Sequence, residues 1–277
     1  MSLLLRQRVI AFATSLLTKP LGRYQRRAVN DRENLRRHIK KGDVVLVEGD
    51  QRVSEVIKYL TQSSWSHAAI YIGDELWRRN PALRHVLRTE FGDDAQHLVV
   101  EALVEEGVVA SPLSKYLDFN IRVCRPYNLH RDDLRAVLDD VIVQIGYRYD
   151  VKNLIDLARY FLPVSLVPRR FRQRALTFGS GLPTQVICSS LIARAFAKVR
   201  YPILPEVTAL EAVAPRATGM RGWFRRGHPF PVPGLFRTSP ITLTTPRDFD
   251  ISPYFEIVKF NILEDMRFDY RQIRWAE

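Results

Sequence analysis

The order of apolar and polar residues along the chain predicts a group of strands followed by a group of helices. Short apolar segments bounded by turn residues predict strands over 42–49, 66–73, 97–103, 107–113 and 120–127. Apolar residues at i, i+3 and i+4 spacing predict helices over 52–62, 130–150, 151–162 and 182–199, and a charged helical or loop insertion occupies 75–94. Strands that precede helices, rather than alternate with them, predict an α+β fold with an antiparallel sheet packed against helices.

The two ends of the chain have patterns of their own. Residues 3–18 predict an amphipathic helix, and a basic segment follows it up to Lys41. Prolines are frequent after about residue 200 and helical periodicity is poor there, although 255–263 predicts a late strand. We therefore expect a basic N-terminal helical extension at 1–40, a main domain at 41–210, and an irregular Pro- and Arg-rich tail at 211–277 that wraps this domain.

The composition is typical of a globular protein in a reducing compartment. Apolar residues make up 46% of the 277 residues, which is enough for a sizeable packed core. No apolar run is long enough for a transmembrane helix, and Arg6 and Arg8 interrupt the N-terminal apolar stretch in a way that signal peptides do not show. Cys124 and Cys188 lack the C-x-x-C spacing of zinc sites. We expect a cytoplasmic protein that needs no metal or other cofactor.

The formal net charge of +12 is concentrated near the N-terminus. Residues 1–41 contain eleven Lys and Arg against Asp31 and Glu33. This charge could bind an anionic partner, such as a membrane surface or a cell-wall polymer. The alternative is a basic surface that is simply solvated. The helix at 3–18 either lies on the inner face of a membrane or packs on the domain. Nucleic acid is not expected as a partner, because no nucleic-acid-binding module accompanies the charge.

Two ionisable residues interrupt predicted apolar strands. His67 lies within "SSWSHAAIYIG" and Glu101 lies within "HLVVEAL". A lone buried carboxylate is unfavourable, so a histidine in a neighbouring strand is a fitting partner for it. The alternatives are a hydrogen-bonded core histidine and a glutamate that faces solvent at a strand end. Glu105 and Glu106 compete with Glu101, but their place in the turn before Gly107 favours solvation.

A cysteine supplies the candidate nucleophile. Cys188 lies about one turn inside the helix predicted to start near Pro183, where unpaired N–H groups and the helix dipole stabilise a thiolate and can hold an oxyanion. The alternative is a buried structural thiol, which is also our interpretation of Cys124. Tyr71 shares the strand face of His67 under the two-residue period, so it is either a substrate-binding residue or an ordinary core aromatic.

The order of these segments resembles that of a known enzyme family. "KKGDVVLVEG" is followed by "WSHAAIYIG", by "VVEA" and, far downstream, by "VICSSLIARAF". This succession resembles the circularly permuted NlpC/P60 hydrolases, and in particular the permuted papain-like amidases of the YaeF/YiiX type. The lecithin-retinol-acyltransferase-like proteins share the Gly-Asp and histidine-strand opening. The resemblance covers about residues 41–200, so it implies a permuted papain-like fold and makes 41–210 the catalytic domain.

The resemblance implies a role for each of three residues. Cys188 is the nucleophile, His67 is the base that deprotonates it, and Glu101 orients the imidazole. The expected protein is a cysteine hydrolase that cleaves an amide, or an ester or thioester, in a peptide or lipid-linked substrate through an acyl-enzyme, with acyl transfer as a related outcome. An alternative from another class is a non-catalytic protein on the same scaffold that binds membrane or anionic polymer.

Overall fold

The computed structural model describes residues 24–27, 29–103, 106–147, 187–204, 206–207, 236–237 and 244–260. Its strands are β1 (Val44–Val47), β2 (His67–Gly73), β3 (Leu98–Leu103), β4 (Gly107–Pro112), β5 (Ile121–Pro126), β6 (Glu206–Val207), β7 (Phe236–Arg237) and β8 (Phe255–Val258). Its α-helices are α1 (Arg32–His38), α2 (Arg52–Thr61), α3 (Glu75–Arg79), α4 (Arg84–Phe91), α5 (Arg131–Val143), α6 (Ile187–Lys198) and α7 (Pro246–Asp250). The helices predicted over 3–18 and 151–162 lie outside these residues, and so does most of the 211–277 tail.

The main sheet has the spatial order β4-β3-β2-β1-β5-β8, and every neighbouring pair in it is antiparallel. Helices α5 and α6 follow β5 along the chain and pack on this antiparallel sheet, so the predicted α+β fold is confirmed. The late strand predicted at 255–263 is β8, which pairs with β5 at the edge of the sheet. The charged insertion predicted at 75–94 contains α3 and α4, joined by a 3-10 turn at Pro81–Leu83.

The central strands are buried on both faces, which explains why their sequences are continuous apolar runs rather than alternating ones. We call one side of the sheet the α6 face, because its residues pack against α5 and α6, and the other side the α1 face, because its residues pack against α1. The α6 face is represented by Leu46, Ile70 and Val100, and the α1 face by Val45, Ala69 and Val99.

The turn that opens β1 is fixed by two residues that belong to the Gly-Asp opening noted in the sequence. Gly42 has a φ of 89°, which only glycine adopts without strain, and its N–H donates to the Tyr71 carbonyl at 2.9 Å. The Asp43 carboxylate is 1% exposed and accepts two hydrogen bonds from Arg125, at 2.9 and 2.7 Å. These contacts join the start of β1 to β2 on one side and to β5 on the other, so the opening has a structural role.

The insertion is tied to the sheet through a buried carboxylate. Glu75 in α3 has a side chain that is 3% exposed and that accepts hydrogen bonds from Lys41 at 2.5 Å, Arg78 at 2.7 Å and Arg79 at 2.5 Å. Burial by itself raises the pKa of Glu75, but the bonds from Lys41 and Arg79 outweigh it and lower the pKa to about 2.

Substitution of Glu75 by Gln is expected to lower the free energy of unfolding by about 2 kcal/mol at neutral pH, because three cations lose their shared carboxylate. The loss of stability is no larger because these cations are partly solvated. The folded pKa lies below the ordinary value, so this stabilisation is present above pH 4.5 and is lost as the pH falls towards 2. Urea unfolding at several pH values measures both effects. Glu90→Gln, at an exposed position on α4, is the matched control. Equal stability of Glu75→Gln and wild type at pH 7 would contradict the assignment.

Candidate active site

The candidate site lies at one end of the sheet, where β2 begins and β3 ends. His67 is the first residue of β2, and Ala69 is paired with Glu101 of β3 in the antiparallel register. Side chains two residues apart on a strand point to the same face, so the register brings the carboxylate of Glu101 diagonally next to the imidazole of His67. The two ionisable residues that interrupt apolar strands in the sequence are therefore neighbours in the fold.

The Glu101 carboxylate is completely buried and has three hydrogen-bond donors. His67 Nε2 lies 2.7 Å from Glu101 Oε2, and Lys115 Nζ donates to Oε1 at 2.7 Å. The Tyr116 hydroxyl also donates to Oε2. Both oxygens are thus satisfied, as a buried carboxylate requires. Because an ionised carboxylate only accepts, Nε2 of His67 carries a proton and the ring orientation is fixed.

The third member of the site comes from the start of α6. Cys188 is the second residue of this helix as the structure describes it, and it is 5% exposed. Helix α6 packs against β2 and β3, and the Cys188 side chain lies beside the His67 ring and interacts with it electrostatically. Glu101 occupies Nε2, so Nδ1 is the ring nitrogen that faces the sulfur. The structure therefore brings together Cys188, His67 and Glu101, the three residues selected in the sequence.

The charges around His67 favour its protonated form. Burial lowers the pKa of the ring, but the Cys188 sulfur, together with the Glu101 carboxylate, raises it more, to about 10. Burial raises the pKa of Glu101, yet the hydrogen bond and positive charge of His67 and the Lys115 ammonium bring it well below its ordinary value. Burial and Glu101 raise the pKa of Tyr116, which keeps its hydroxyl protonated as a donor.

This arrangement can perform nucleophilic catalysis. A thiol beside an imidazole that is oriented by a carboxylate can transfer its proton to the ring and attack an electrophilic carbon. The first turn of α6 adds N–H groups without intrahelical partners, which favour negative charge on the sulfur and on an adjacent oxygen. Packing alone does not explain this arrangement, because a buried structural cysteine needs neither a histidine nor a carboxylate beside it.

Lys115 and Tyr116 are site residues that the sequence did not single out. They lie in the 3-10 turn Leu113–Tyr116 after β4, and β4 is the antiparallel partner of β3. The Tyr116 ring centroid is 6.2 Å from that of His67. A buried carboxylate needs more donors than one histidine supplies, so the requirement for further donors could have been inferred from Glu101. The identity of these donors could not have been inferred, because nothing in "SPLSKYLDF" indicates which polar residue points inward.

Tyr71 lies on the α1 face and contacts a different set of residues from those around Glu101. It is 5% exposed within the cluster on the α1 face, and its hydroxyl lies 2.9 Å from His97 Nδ1. The structure does not bring Tyr71 into contact with Cys188, and its contacts give no support to a role in substrate binding. Cys124 is buried in β5, where burial raises the pKa of its thiol to about 12, in agreement with a structural thiol.

The described residues show neither a candidate metal site nor a helix that could span a membrane. Among those residues, no three or more His, Cys, Asp or Glu side chains are grouped so that they could hold a metal ion. None of the helices that can be described combines the length and the apolar character needed to cross a bilayer.

Comparison with known proteins gives one family. Residues 38–174 match the family model described as permuted papain-like amidase enzyme, YaeF/YiiX, C92 family. The match includes His67, Glu101, Lys115 and Tyr116, and it ends before Cys188. No curated protein sequence matches the chain. The six-stranded antiparallel sheet with its flanking helices agrees with a permuted papain-like fold. The part of the chain that spans residues 38–174 belongs to the family of permuted papain-like amidases of the YaeF/YiiX type.

Proposed function

We propose that this protein is a cysteine amidase in which Cys188 is the nucleophile, His67 is the general base and Glu101 orients the imidazole. The observation that carries the proposal is that one imidazole is hydrogen-bonded to a buried carboxylate and also lies beside a thiol that acts on its charge. Membership of an amidase family supports the reaction class. Lys115 and Tyr116 are positioning residues, because they act on the site through Glu101.

The proposed reaction has two steps. In the resting site, His67 already carries the proton that the thiol gives up. The Cys188 sulfur bonds to the carbonyl carbon of the substrate, and the protonated ring then gives this proton to the departing amine as the carbon–nitrogen bond breaks. The product of this step is a thioester between the acyl group and Cys188. His67, now neutral, takes a proton from water, which attacks the thioester. The acid is released, the bond between sulfur and the acyl carbon breaks, and His67 is again protonated beside the sulfur, as in the resting site. Esters and thioesters react by the same steps with an alcohol or thiol as leaving group.

The nucleophile can be tested by alkylation of the native protein. Iodoacetamide is expected to label Cys188 rapidly near neutral pH, and His67→Ala is expected to slow this labelling about a hundredfold, because the base that removes the thiol proton is lost. Mass spectrometry of the peptides gives the rate at each cysteine. Cys124 is the internal control, since burial and a pKa of about 12 make its thiol unreactive in the folded protein.

His85→Ala, an exposed substitution on α4, is the matched control for the loss of a histidine and should leave the labelling rate at the wild-type value. Circular dichroism and thermal unfolding show whether His67→Ala is folded. If Cys188 in the native protein reacts only after unfolding, as Cys124 does, the catalytic role of the thiol is excluded. The non-catalytic binding protein on the same scaffold would then be the remaining hypothesis.

The protonation state of His67 can be followed by nuclear magnetic resonance of the ring carbon-bound protons over a range of pH. In wild type, the ring should keep its proton until the pH approaches about 10. Glu101→Gln removes a carboxylate that stabilises the imidazolium, so the ring should lose its proton at a lower pH. Cys188→Ser should shift the titration in the same direction, because the sulfur also contributes to the raised pKa. An unchanged His67 titration in both variants would contradict the proposed coupling.

A further inference from the structure

A cavity of about 520 Å³ lies at the same end of the sheet as His67. This volume is within the usual range for small-molecule sites, which is about 300–1,000 Å³. The wall combines apolar and charged side chains: Trp65, Arg27, Arg122, Arg247, Glu48 and Asp250. Arg247 and Asp250 come from α7, so part of the C-terminal segment of the chain helps to form this cavity.

Sheet register places the cavity close to the candidate active site. Val47 of β1 is paired with His67 on one side and with Ile121, a cavity residue, on the other. The backbone of Ile121 is therefore two strand spacings, about 10 Å, from that of His67. Trp65, which lines the cavity, also belongs to the same hydrophobic cluster as Cys188.

The two carboxylates of the cavity are already engaged by protein donors. Glu48 accepts from Arg27 at 3.0 Å through one oxygen and from Asn120 at 2.9 Å through the other. Asp250 accepts from the Trp65 indole N–H at 3.0 Å through one oxygen and from Arg122 through the other. Neither acid is left to attract a cationic ligand, so these groups serve to hold the arginines in place.

The arginines retain donors for a ligand. The Arg122 guanidinium lies 5.0 Å from the centroid of the Trp65 ring, a cation–π contact that orients its plane. Arg247 donates to the Thr61 carbonyl at 3.1 Å and has no carboxylate within ion-pairing distance among the residues that the structure describes. Each guanidinium carries five N–H groups in a fixed fork, which suits a carboxylate.

We propose that this cavity binds a carboxylate on the substrate while the scissile carbonyl lies at Cys188. Three arginines against two carboxylates leave one positive charge, which matches a singly charged carboxylate better than a doubly charged phosphate. The substrate class is then an amide whose acyl or amine part bears a carboxylate about two strand spacings from the scissile bond. This assignment of the substrate rests on the proposed function, since it needs Cys188 as the reacting group.

The test uses two alkylating reagents of equal length. One is the chloroacetyl derivative of aminohexanoic acid, and the other is the same molecule with its carboxylate converted to a carboxamide. With either reagent, the Cys188 sulfur bonds to the carbon that bears the chlorine, chloride leaves and the thiol proton stays on His67. The arm is long enough to carry its terminal group from Cys188 into the cavity. The measured quantity is the ratio of second-order labelling rates at Cys188, anionic over neutral, which cancels differences in thiol reactivity between variants.

The wild-type protein is expected to prefer the anionic reagent by about tenfold, the effect of one charge-assisted hydrogen bond in a partly open site. Arg122→Gln and Arg247→Gln should each bring the ratio close to one. Arg247→Gln keeps the test decisive if Arg122→Gln fails to fold, because Arg247 makes a single hydrogen bond to a backbone carbonyl. Arg88→Gln removes an equal charge from an exposed position on α4 and should keep the wild-type ratio.

Three outcomes would overturn the proposal or its basis, and they are distinguishable. A ratio of one in wild type excludes a carboxylate site in the cavity but leaves the amidase proposal intact. An equal fall of the ratio in Arg88→Gln and in the cavity variants indicates attraction by the net positive charge of the protein alone. Absence of labelling at Cys188 by both reagents contradicts the proposed function itself.

Discussion

The buried carboxylate of Glu101 is the group on which the candidate site depends. A carboxylate without exposure to water must find its donors within the protein, and Glu101 takes them from β2 and from the turn that follows β4. The same contact that stabilises the carboxylate fixes the ring of His67. The fixed ring in turn keeps its remaining nitrogen free for Cys188, which interacts with the ring. The interaction that makes the acid tolerable inside the fold is therefore also the one that prepares the base.

The position of the site at the end of the sheet follows from the way the strands are buried. Both faces of the central strands are covered, so a side chain in the middle of a strand meets only one layer. His67 begins β2 and contacts residues of both layers: Cys188 from the cluster on the α6 face and Tyr116 from the cluster on the α1 face. A histidine at Ala69, two residues further along, would lie between covering layers and could not reach the helix that carries the thiol.

Periodicity predicted the six strands of the main sheet and the helices α2, α5 and α6. The pairing of His67 with Glu101 was predicted because a charged group in an apolar strand needs a partner. Periodicity predicted the face of Tyr71 but not what covers that face, which is set by α1 and by His97. Lys115 and Tyr116 escaped prediction because a 3-10 turn has no apolar period that distinguishes inward from outward residues. The cavity could not be foreseen either, since Trp65, Arg122 and Asp250 come from three separate parts of the chain.

The raised pKa of His67 is compatible with a base that must later give up its proton, because one of its causes is removed during the reaction. In the resting site, the Cys188 sulfur contributes to holding the proton on the ring. In the proposed reaction, a sulfur bonded to an acyl carbon carries no negative charge, so the pKa of His67 falls and the proton becomes available to the departing amine. Glu101 keeps the ring oriented throughout, while Lys115 offsets part of its charge and limits how strongly the proton is retained. Glu101 and Lys115 thus have opposite effects on the proton of His67. The proposed reaction requires that the ring first retain this proton and then release it.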